Sequence, residues 1–161
     1  MTKIKPTIIV DTREKLPWDW EDDDAFASVI YRKLDAGDYS IEGLEDVIFI
    51  ERKASVDELY NNFTTGKKRL AAEFDRVTDH RVKIFIIEET CEDILNPRKY
   101  YVNKKKINRK SPKMPPAVVA SSLTNLVLEQ NVHVIFGGSR AQSMVRGILL
   151  RAWELYQKGQ L

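Results

Sequence analysis

The chain has 161 residues, of which 43% are hydrophobic, and its 26 basic and 24 acidic residues leave a formal net charge of +2. This length allows one domain with a substantial core, while no apolar run approaches the roughly 20 residues of a membrane span. No apolar secretory segment follows the first residues, and a single cysteine, Cys91, excludes an internal disulfide framework. We therefore expect one intracellular, cytoplasmic domain over residues 1–161, neither secreted nor in a membrane.

The first third of the chain is rich in predicted strands. Apolar and β-branched runs predict them at residues 7–10, 29–34, 38–41 and 47–53. The last two form a predicted hairpin around Gly43. The final strand begins with four consecutive apolar residues, which predicts a central strand covered on both faces.

Helices and strands alternate in the remainder. Ser55 with Glu58 predicts a capped helix, and a second helix follows Gly66. Further predicted elements are a strand at 82–88, a short helix capped by Thr90, a helix at about 116–130, a strand at 132–136 and a last helix with a capping box at Ser139 and Gln142. This order predicts an α/β fold, with a mixed central sheet flanked by helices.

Charge is unevenly distributed along the chain. Residues 18–24 are acidic, and for the cluster Glu21, Asp22, Asp23 and Asp24 we expect a flexible, solvated loop rather than a metal site. Residues 98–113 carry eight cations and no acid, and we expect a flexible basic loop at about 98–114. This segment, with Lys104, Lys105 and Lys106, is either a phosphate-binding stripe or a plain solvated loop. Lys67 and Lys68 begin a helix, where cations oppose the helix dipole, and this arrangement fits a phosphate bound nearby.

One group of side chains carries recognisable chemistry. Asp38 lies on one strand of the predicted hairpin, and Glu51 and Lys53 share one face of the other strand, because side chains alternate along a strand. A buried glutamate and lysine are costly unless they pair with each other or with a metal. Two carboxylates can hold Mg²⁺ or Mn²⁺, and a lysine can orient an attacking water. This set predicts metal-assisted cleavage of a phosphodiester.

Three segments of the chain resemble the signature of the XPF-type structure-specific endonucleases. They are VDTRE at residues 10–14, GD at 37–38 and ERKASVD at 51–57; the hallmark of that family is GD, a variable gap and ERKxxxD. The resemblance continues in order over about residues 7–157. Several spaced elements occur together, each in its predicted structural context, which makes the motif specific.

The resemblance implies a restriction-endonuclease-like fold and a role for each matching residue. Asp38 and Glu51 become metal ligands, with the main-chain carbonyl of Arg52 as a third. Lys53 becomes the catalytic lysine. The resemblance adds Asp11 to the catalytic set, Arg13, Glu14 and Asp57 in support of it, and Arg69 as a phosphate contact.

Members of that family cut DNA near junctions of single and double strands and usually work as dimers. Larger members add a helicase or a tandem helix-hairpin-helix module, and these 161 residues contain neither. The resemblance therefore implies a single nuclease domain that hydrolyses branched or flap-like DNA with Mg²⁺ or Mn²⁺. Two alternatives remain: a non-catalytic DNA-junction-binding subunit, and a resolvase or restriction-type nuclease of the same fold.

Each single residue also has a plainer interpretation. Asp38 alone could be a turn residue, and Asp11 a strand-end acid. Arg13 and Glu14 could simply pair with each other. Asp57 could be an acid that stabilises a helix N-terminus, and Arg69 a solvated helix arginine.

The predicted helix after Pro116 is apolar on several sides. Its apolar residues are Val118, Val119, Leu123, Leu126, Val127 and Leu128. A helix that is apolar all round must be buried on all sides, and one sheet covers only one face. We therefore expect a homodimer built through the last two helices.

Overall fold

The computed structural model describes residues 4–97 and 114–161. Within this part of the chain, six strands form one sheet in the order β2-β1-β3-β4-β5-β6. The strands are β1 (Thr7–Val10), β2 (Ser28–Tyr31), β3 (Tyr39–Ile41), β4 (Ile48–Lys53), β5 (Val82–Ile87) and β6 (His133–Phe136). Strand β3 is antiparallel to β1 and β4, and the other neighbours are parallel. The predicted mixed sheet is confirmed.

Five α-helices accompany the sheet in the described residues. They are α1 (Val56–Phe63), α2 (Lys67–Arg76), α3 (Cys91–Leu95), α4 (Pro116–Gln130) and α5 (Ala141–Gln157). The predicted caps of the early helices are present, because the side chains of Ser55 and Thr90 accept the backbone N–H groups of Glu58 and Asp93. The Glu58 carboxylate itself reaches the backbone N–H of Ala54, at 2.9 Å.

The helices divide between the two faces of the sheet. Helices α1 to α4 pack on the face that carries Phe49 and Phe85, and α5 covers the face that carries Ile48 and Ile50. Strand β4 is buried along its whole length, because apolar side chains cover it on both faces. Its alternation therefore sends Glu51 and Lys53 towards the α1–α4 face and Arg52 towards the α5 face.

One prediction about local structure is wrong. Ser139 and Gln142 form no capping box, because a 3₁₀ turn at Gly138–Arg140 moves the start of α5 to Ala141. Gln142 instead donates to the carbonyl of Asp19, at 2.6 Å. In the acidic cluster 21–24, Glu21, Asp22 and Asp24 are exposed, as expected of a solvated loop, while Asp23 accepts two hydrogen bonds from Arg146 of α5, at 2.6 and 2.9 Å.

Two further predictions concern the periphery of the fold. The flexible basic loop predicted at about 98–114 lies, apart from Met114, outside the described residues. Across residues 4–97 and 114–161, no helix combines the length and the apolar character needed to cross a bilayer.

Candidate active site

The candidate residues converge at one edge of the sheet. The carboxyl ends of β1 and β4 meet the amino end of β3 there, since the backbone N–H of Asp11 donates to the carbonyl of Asp38 at 2.9 Å, and that of Asp38 to Ile50 at 2.7 Å. Strand alternation turns the side chains of Asp11, Asp38, Glu51 and Lys53 to the same face. Residues 40 positions apart therefore line one cleft.

The cleft measures about 640 Å³ and lies between this edge of the sheet and the start of α1 and α2. Charged side chains dominate its walls. They are Asp11, Arg13, Glu14, Lys15, Asp38, Glu51, Arg52, Lys53, Glu58, Arg69, Glu73 and Arg76. A cleft of this composition suits a charged ligand rather than an apolar one.

Lys53 is the buried cation of the cleft. Only 3% of it is exposed, and its ammonium donates to the Glu51 carboxylate. The Glu58 carboxylate lies 3.7 Å from the same nitrogen, and the ammonium lies 5.6 Å from the centre of the Phe85 ring. Burial alone would lower the pKa of Lys53, but Glu51 and Asp38 raise it. The ammonium therefore stays charged at neutral pH.

The two carboxylates of the predicted metal pair are held close enough to affect each other. Burial, and then the negative charge of Glu51, raise the pKa of Asp38 well above its ordinary value. Burial raises the pKa of Glu51 to about 7 even though Lys53 opposes the shift. The backbone N–H of Arg52 donates to the Asp38 carboxylate at 2.7 Å and fixes its position. One lysine does not balance these acids.

The excess of negative charge in the cleft bears on whether a divalent cation fits there. No group of three or more His, Cys, Asp or Glu side chains in residues 4–97 and 114–161 is arranged to hold a metal. Mg²⁺, however, is commonly bound through one or two carboxylates and keeps several waters. Burial disfavours the charged form of both carboxylates, and the charge of Glu51 adds to this at Asp38; a bound hard cation favours the charged forms. The donor set therefore fits Mg²⁺ or Mn²⁺.

Asp11 is engaged by its neighbours. One of its oxygens accepts the backbone and Nε hydrogens of Arg13, at 2.7 and 2.8 Å, and the other accepts Arg13 Nη2 at 2.8 Å and the N–H of Leu34 at 2.7 Å. Burial would raise the pKa of Asp11, but the Arg13 and Leu34 bonds hold it below its ordinary value. The interpretation that Arg13 pairs with Glu14 is wrong, because Asp11 is its partner.

Arg52 projects from the other side of β4. Its guanidinium donates to the Glu88 carboxylate at 3.1 and 2.9 Å and to the carbonyl of Leu16 at 2.7 Å. Glu14 lies 3.5 Å away, so this acid supports Arg52. The centre of the guanidinium lies 4.9 Å from the centre of the Trp18 ring. A buried arginine needs this number of partners to offset its desolvation.

The arrangement of charged residues in the cleft agrees with the protein family that the sequence matches. The family model of the ERCC4 domain matches residues 10–144, most of the chain. The chain belongs to the ERCC4 domain family. The XPF-type signature is thereby confirmed, and the family is one of DNA nucleases that process branched DNA. No curated protein sequence is similar enough to the chain to match it.

Two solved structures show the same fold. XPF from Aeropyrum pernix in complex with DNA superimposes with a TM-score of 0.60 at 19% identity, over 93% of this chain and 66% of the solved chain. XPF from Aeropyrum pernix alone gives 0.61 at 18% identity, over 96% and 69%. This ERCC4 domain thus spans about two thirds of the length of these relatives. The predicted restriction-endonuclease-like architecture is confirmed.

Other predicted residues of the ERCC4 domain lie around the cleft rather than in it. Arg69 of α2 is exposed and lines the cleft and an adjoining groove. Asp57 lines that groove, in the first turn of α1. Lys67 and Lys68 are exposed at the start of α2. Lys104, Lys105 and Lys106 lie outside the described residues.

Sequence reasoning missed three residues beside the signature. Glu73 of α2 accepts the backbone N–H of Gly37 at 3.1 Å, and Glu58 approaches Lys53. The signal for Glu73 was the spacing of Arg69, Glu73 and Arg76, which places all three on one helical face. Nothing in the local sequence marks Trp18, because its partners lie 21 to 70 residues away.

Proposed function

We propose that this ERCC4 domain is a divalent-metal-dependent DNA endonuclease that hydrolyses phosphodiester bonds in branched or junction DNA. The observation that carries the proposal is the meeting of Asp38, Glu51 and Lys53 in one charged cleft. The GD and ERK residues are all intact, which favours an active enzyme over a non-catalytic subunit. Membership of the family supports DNA as the substrate.

The chain's own residues would divide the work. Asp38, Glu51 and the main-chain carbonyl of Arg52 would hold the cation, since that carbonyl lies on the same side of β4 as the N–H bonded to Asp38. When bound, Mg²⁺ or Mn²⁺ supplies Lewis-acid polarisation of the phosphate and a water of lowered pKa. Lys53 would place its ammonium beside the attacked phosphate and orient the water. Asp11 would act through Arg13, because its oxygens are already engaged.

DNA would enter along the α2 wall of the cleft. Arg69 is exposed there, and Arg13 keeps about half of its side chain accessible while Asp11 fixes its guanidinium. Both are suited to phosphate oxygens, which position a duplex without reading its sequence. Lys67, Lys68 and the basic segment with Lys104, Lys105 and Lys106 would extend this contact.

We also propose a homodimer. Val118, Val127 and Leu128 of α4 are exposed, Leu128 by 76%, while Val119, Leu123 and Leu126 face the core. Helix α5 lies on the opposite face of the sheet and so does not cover them. Strand β6 is an edge in the described sheet, and Phe136 there is also exposed. The exposed pair Val127 and Leu128, in the last turn of α4 beside this edge strand, would bind the second copy.

The proposal is tested by cleavage of labelled flap, fork, four-way-junction and plain duplex DNA with Mg²⁺ or Mn²⁺. Asp38→Asn and Glu51→Gln keep the shape of the side chain and remove its charge, so they should abolish cleavage while DNA binding and thermal stability persist. Glu45→Gln, a change on the β3–β4 turn outside the cleft, should cut like the wild type. Full activity in excess EDTA, or wild-type cleavage by either site variant, would refute the proposal.

A further inference from the structure

The segment 16–24, which we call the strap, runs from the cleft to the last helix across the α5 face of the sheet. At one end, the carbonyl of Leu16 accepts from Arg52 at 2.7 Å. At the other, Asp23 holds Arg146, and the carbonyl of Asp19 accepts from Gln142. The strap is therefore fixed both to the strand that carries Glu51 and to a helix 123 residues away.

Trp18 lies in the middle of the strap and touches both strands of the predicted metal pair. Its ring stacks on Tyr39 at 4.9 Å and 12°, and its backbone N–H donates to the Tyr39 hydroxyl at 3.1 Å. Tyr39 directly follows Asp38. On the other side, the ring covers the Arg52 guanidinium, and Arg52 directly follows Glu51. Trp18 is only 9% exposed.

A continuous set of bonds leads from the indole to the cleft. The Trp18 Nε1–H donates to the Glu88 carboxylate, which also accepts two bonds from the Arg52 guanidinium. The backbone N–H of Arg52 in turn donates to the Asp38 carboxylate at 2.7 Å. Three links thus connect a side chain on one face of the sheet to a carboxylate on the other.

We propose that Trp18 is a positioning residue, which locks Arg52 and Glu88 and thereby holds the Asp38 carboxylate in register with β4. The role in catalysis rests on the proposed function above; the positioning itself does not. A single hydrogen bond can hold a metal-binding carboxylate in place only if its donor is itself held in place. Loss of a group that orients a metal ligand typically costs about 10- to 100-fold in metal affinity or activity. Cation–π contact and the charge-assisted bonds together restrict the Arg52 side chain.

The chain offers a matched control for Trp18. Trp20 belongs to the same aromatic cluster, 6.0 Å from Trp18, and is 1% exposed, but its indole nitrogen has no hydrogen-bond partner among residues 4–97 and 114–161. Trp18→Phe keeps an aromatic ring and removes the N–H that binds Glu88. Trp20→Phe makes the same chemical change where no hydrogen bond is lost.

The first test is amide hydrogen exchange of the metal-free protein, followed by NMR. Trp18→Phe should speed exchange at the Arg52 amide about 10-fold or more relative to wild type, while the amide of Ile84 in β5 keeps its rate. Trp20→Phe should leave Arg52 unchanged. In a Glu88→Ala background Trp18→Phe should add little, because the two changes break the same path. Equal effects of the two tryptophan variants at Arg52, or no effect of either, would overturn the proposal.

The second test is Mn²⁺ binding by calorimetry. We expect Trp18→Phe to weaken Mn²⁺ binding about 10-fold, the lower end of what removal of an orienting partner costs, and Trp20→Phe to leave it within about twofold of wild type. In cleavage assays the loss should fall on kcat, with KM for DNA retained. If the two variants weaken Mn²⁺ equally, Trp18 is an ordinary core residue. If the wild type cuts no DNA, the proposed function fails, and the exchange comparison still decides the positioning role.

Discussion

At the residue scale, Lys53 is both buried and charged, and these two properties oppose each other energetically. Its ammonium is buried, which costs free energy, yet two acids keep it charged. A charge held in a site of restricted solvent acts more strongly on a transition state than the same charge in water. Lys53 is therefore expected to contribute more to the rate of the proposed reaction than to the affinity for DNA.

Lys53→Met keeps the apolar stem and removes the charge. We expect a loss of about 100-fold or more in single-turnover cleavage, a magnitude typical of one lost transition-state donor, with DNA affinity within about twofold. Lys83→Met is the control, since Lys83 is also buried, faces Phe49 across the β4–β5 pair, and lies outside the cleft. Equal losses of affinity and rate in Lys53→Met would reduce the lysine to a backbone contact.

Glu51 makes the stability of the metal-free protein depend on pH. Its pKa is about 7 in the folded protein against an ordinary value of 4.5, so between these values the folded state holds a proton that the unfolded chain has released. The free energy of unfolding should therefore fall as pH rises across this window. In EDTA, the Tm of the wild type minus the Tm of the Glu51→Gln variant should decrease from pH 4.5 to pH 7. A difference that stays constant over this range would contradict the raised pKa of Glu51.

The sequence was sufficient to predict that Asp38, Glu51 and Lys53 lie close together, because strand alternation and hairpin pairing depend on local patterns. It was insufficient for Glu58 and Glu73. Those acids reach the cleft only because α1 and α2 pack on one face of the sheet at a particular rotation, which depends on contacts distant in the chain. The hydrogen bonding of Asp11 could not be predicted from the sequence either, since one of the four hydrogen bonds that its carboxylate accepts comes from the backbone of Leu34.

At the scale of elements, the turn into β3 leaves little room for a side chain at Gly37. Gly37 has a φ of +80°, and a Cβ there would come within 3.0 Å of the Ile50 carbonyl and of the Phe49 ring. A side chain would therefore strain the turn and also push β3 away from β4. Asp38 is the next residue, so the effect reaches the cleft.

Gly37→Ala should lower stability by about 1–2 kcal/mol from backbone strain, with a further loss from the clash, and should weaken Mn²⁺ binding. Gly43→Ala is the control, because Gly43 has a similar φ of +83° and no atom of the described part of the chain lies within 4 Å of its added Cβ. It should show the strain alone. Urea denaturation of both variants measures the difference, and equal destabilisation with unchanged Mn²⁺ binding would contradict this account.

Element prediction failed where distant contacts replaced local ones. Ser139 and Gln142 have the spacing of a capping box, but Gln142 binds the Asp19 carbonyl, and the 3₁₀ turn delays the helix. The acidic cluster 21–24 is largely exposed, as its composition predicts, but Arg146 binds Asp23. Both partners come from the other end of the chain, where a local pattern carries no information.

At the scale of the whole molecule, the last turn of α4 carries two neighbouring exposed apolar residues. Leu128 is 76% exposed and Val127 47%, next to the edge strand β6. Burying such residues against a second copy would recover the free energy that exposure forfeits.

We expect the wild type to be a dimer by light scattering at tens of micromolar. The double variant Val127→Glu, Leu128→Glu should be a folded monomer, whose Tm is lower than that of the wild type only by the stabilisation that dimer formation supplies. Ile4→Glu is the control, because Ile4 is 67% exposed on another part of the surface, and it should remain dimeric. A strictly monomeric wild type would refute the interface.

The position of α5 has a consequence for how the protein is made. All strands of the candidate site are translated by residue 53, yet Ile48, Ile50 and Trp18 are covered by Val145 and Leu149, and the strap is fixed by Arg146. A chain still emerging from the ribosome therefore carries the complete signature while one face of its sheet is open. The contacts between the strap and α5 can form only after residue 146 has been synthesised, so a ribosome-bound chain holds the signature residues before this side of the sheet is covered.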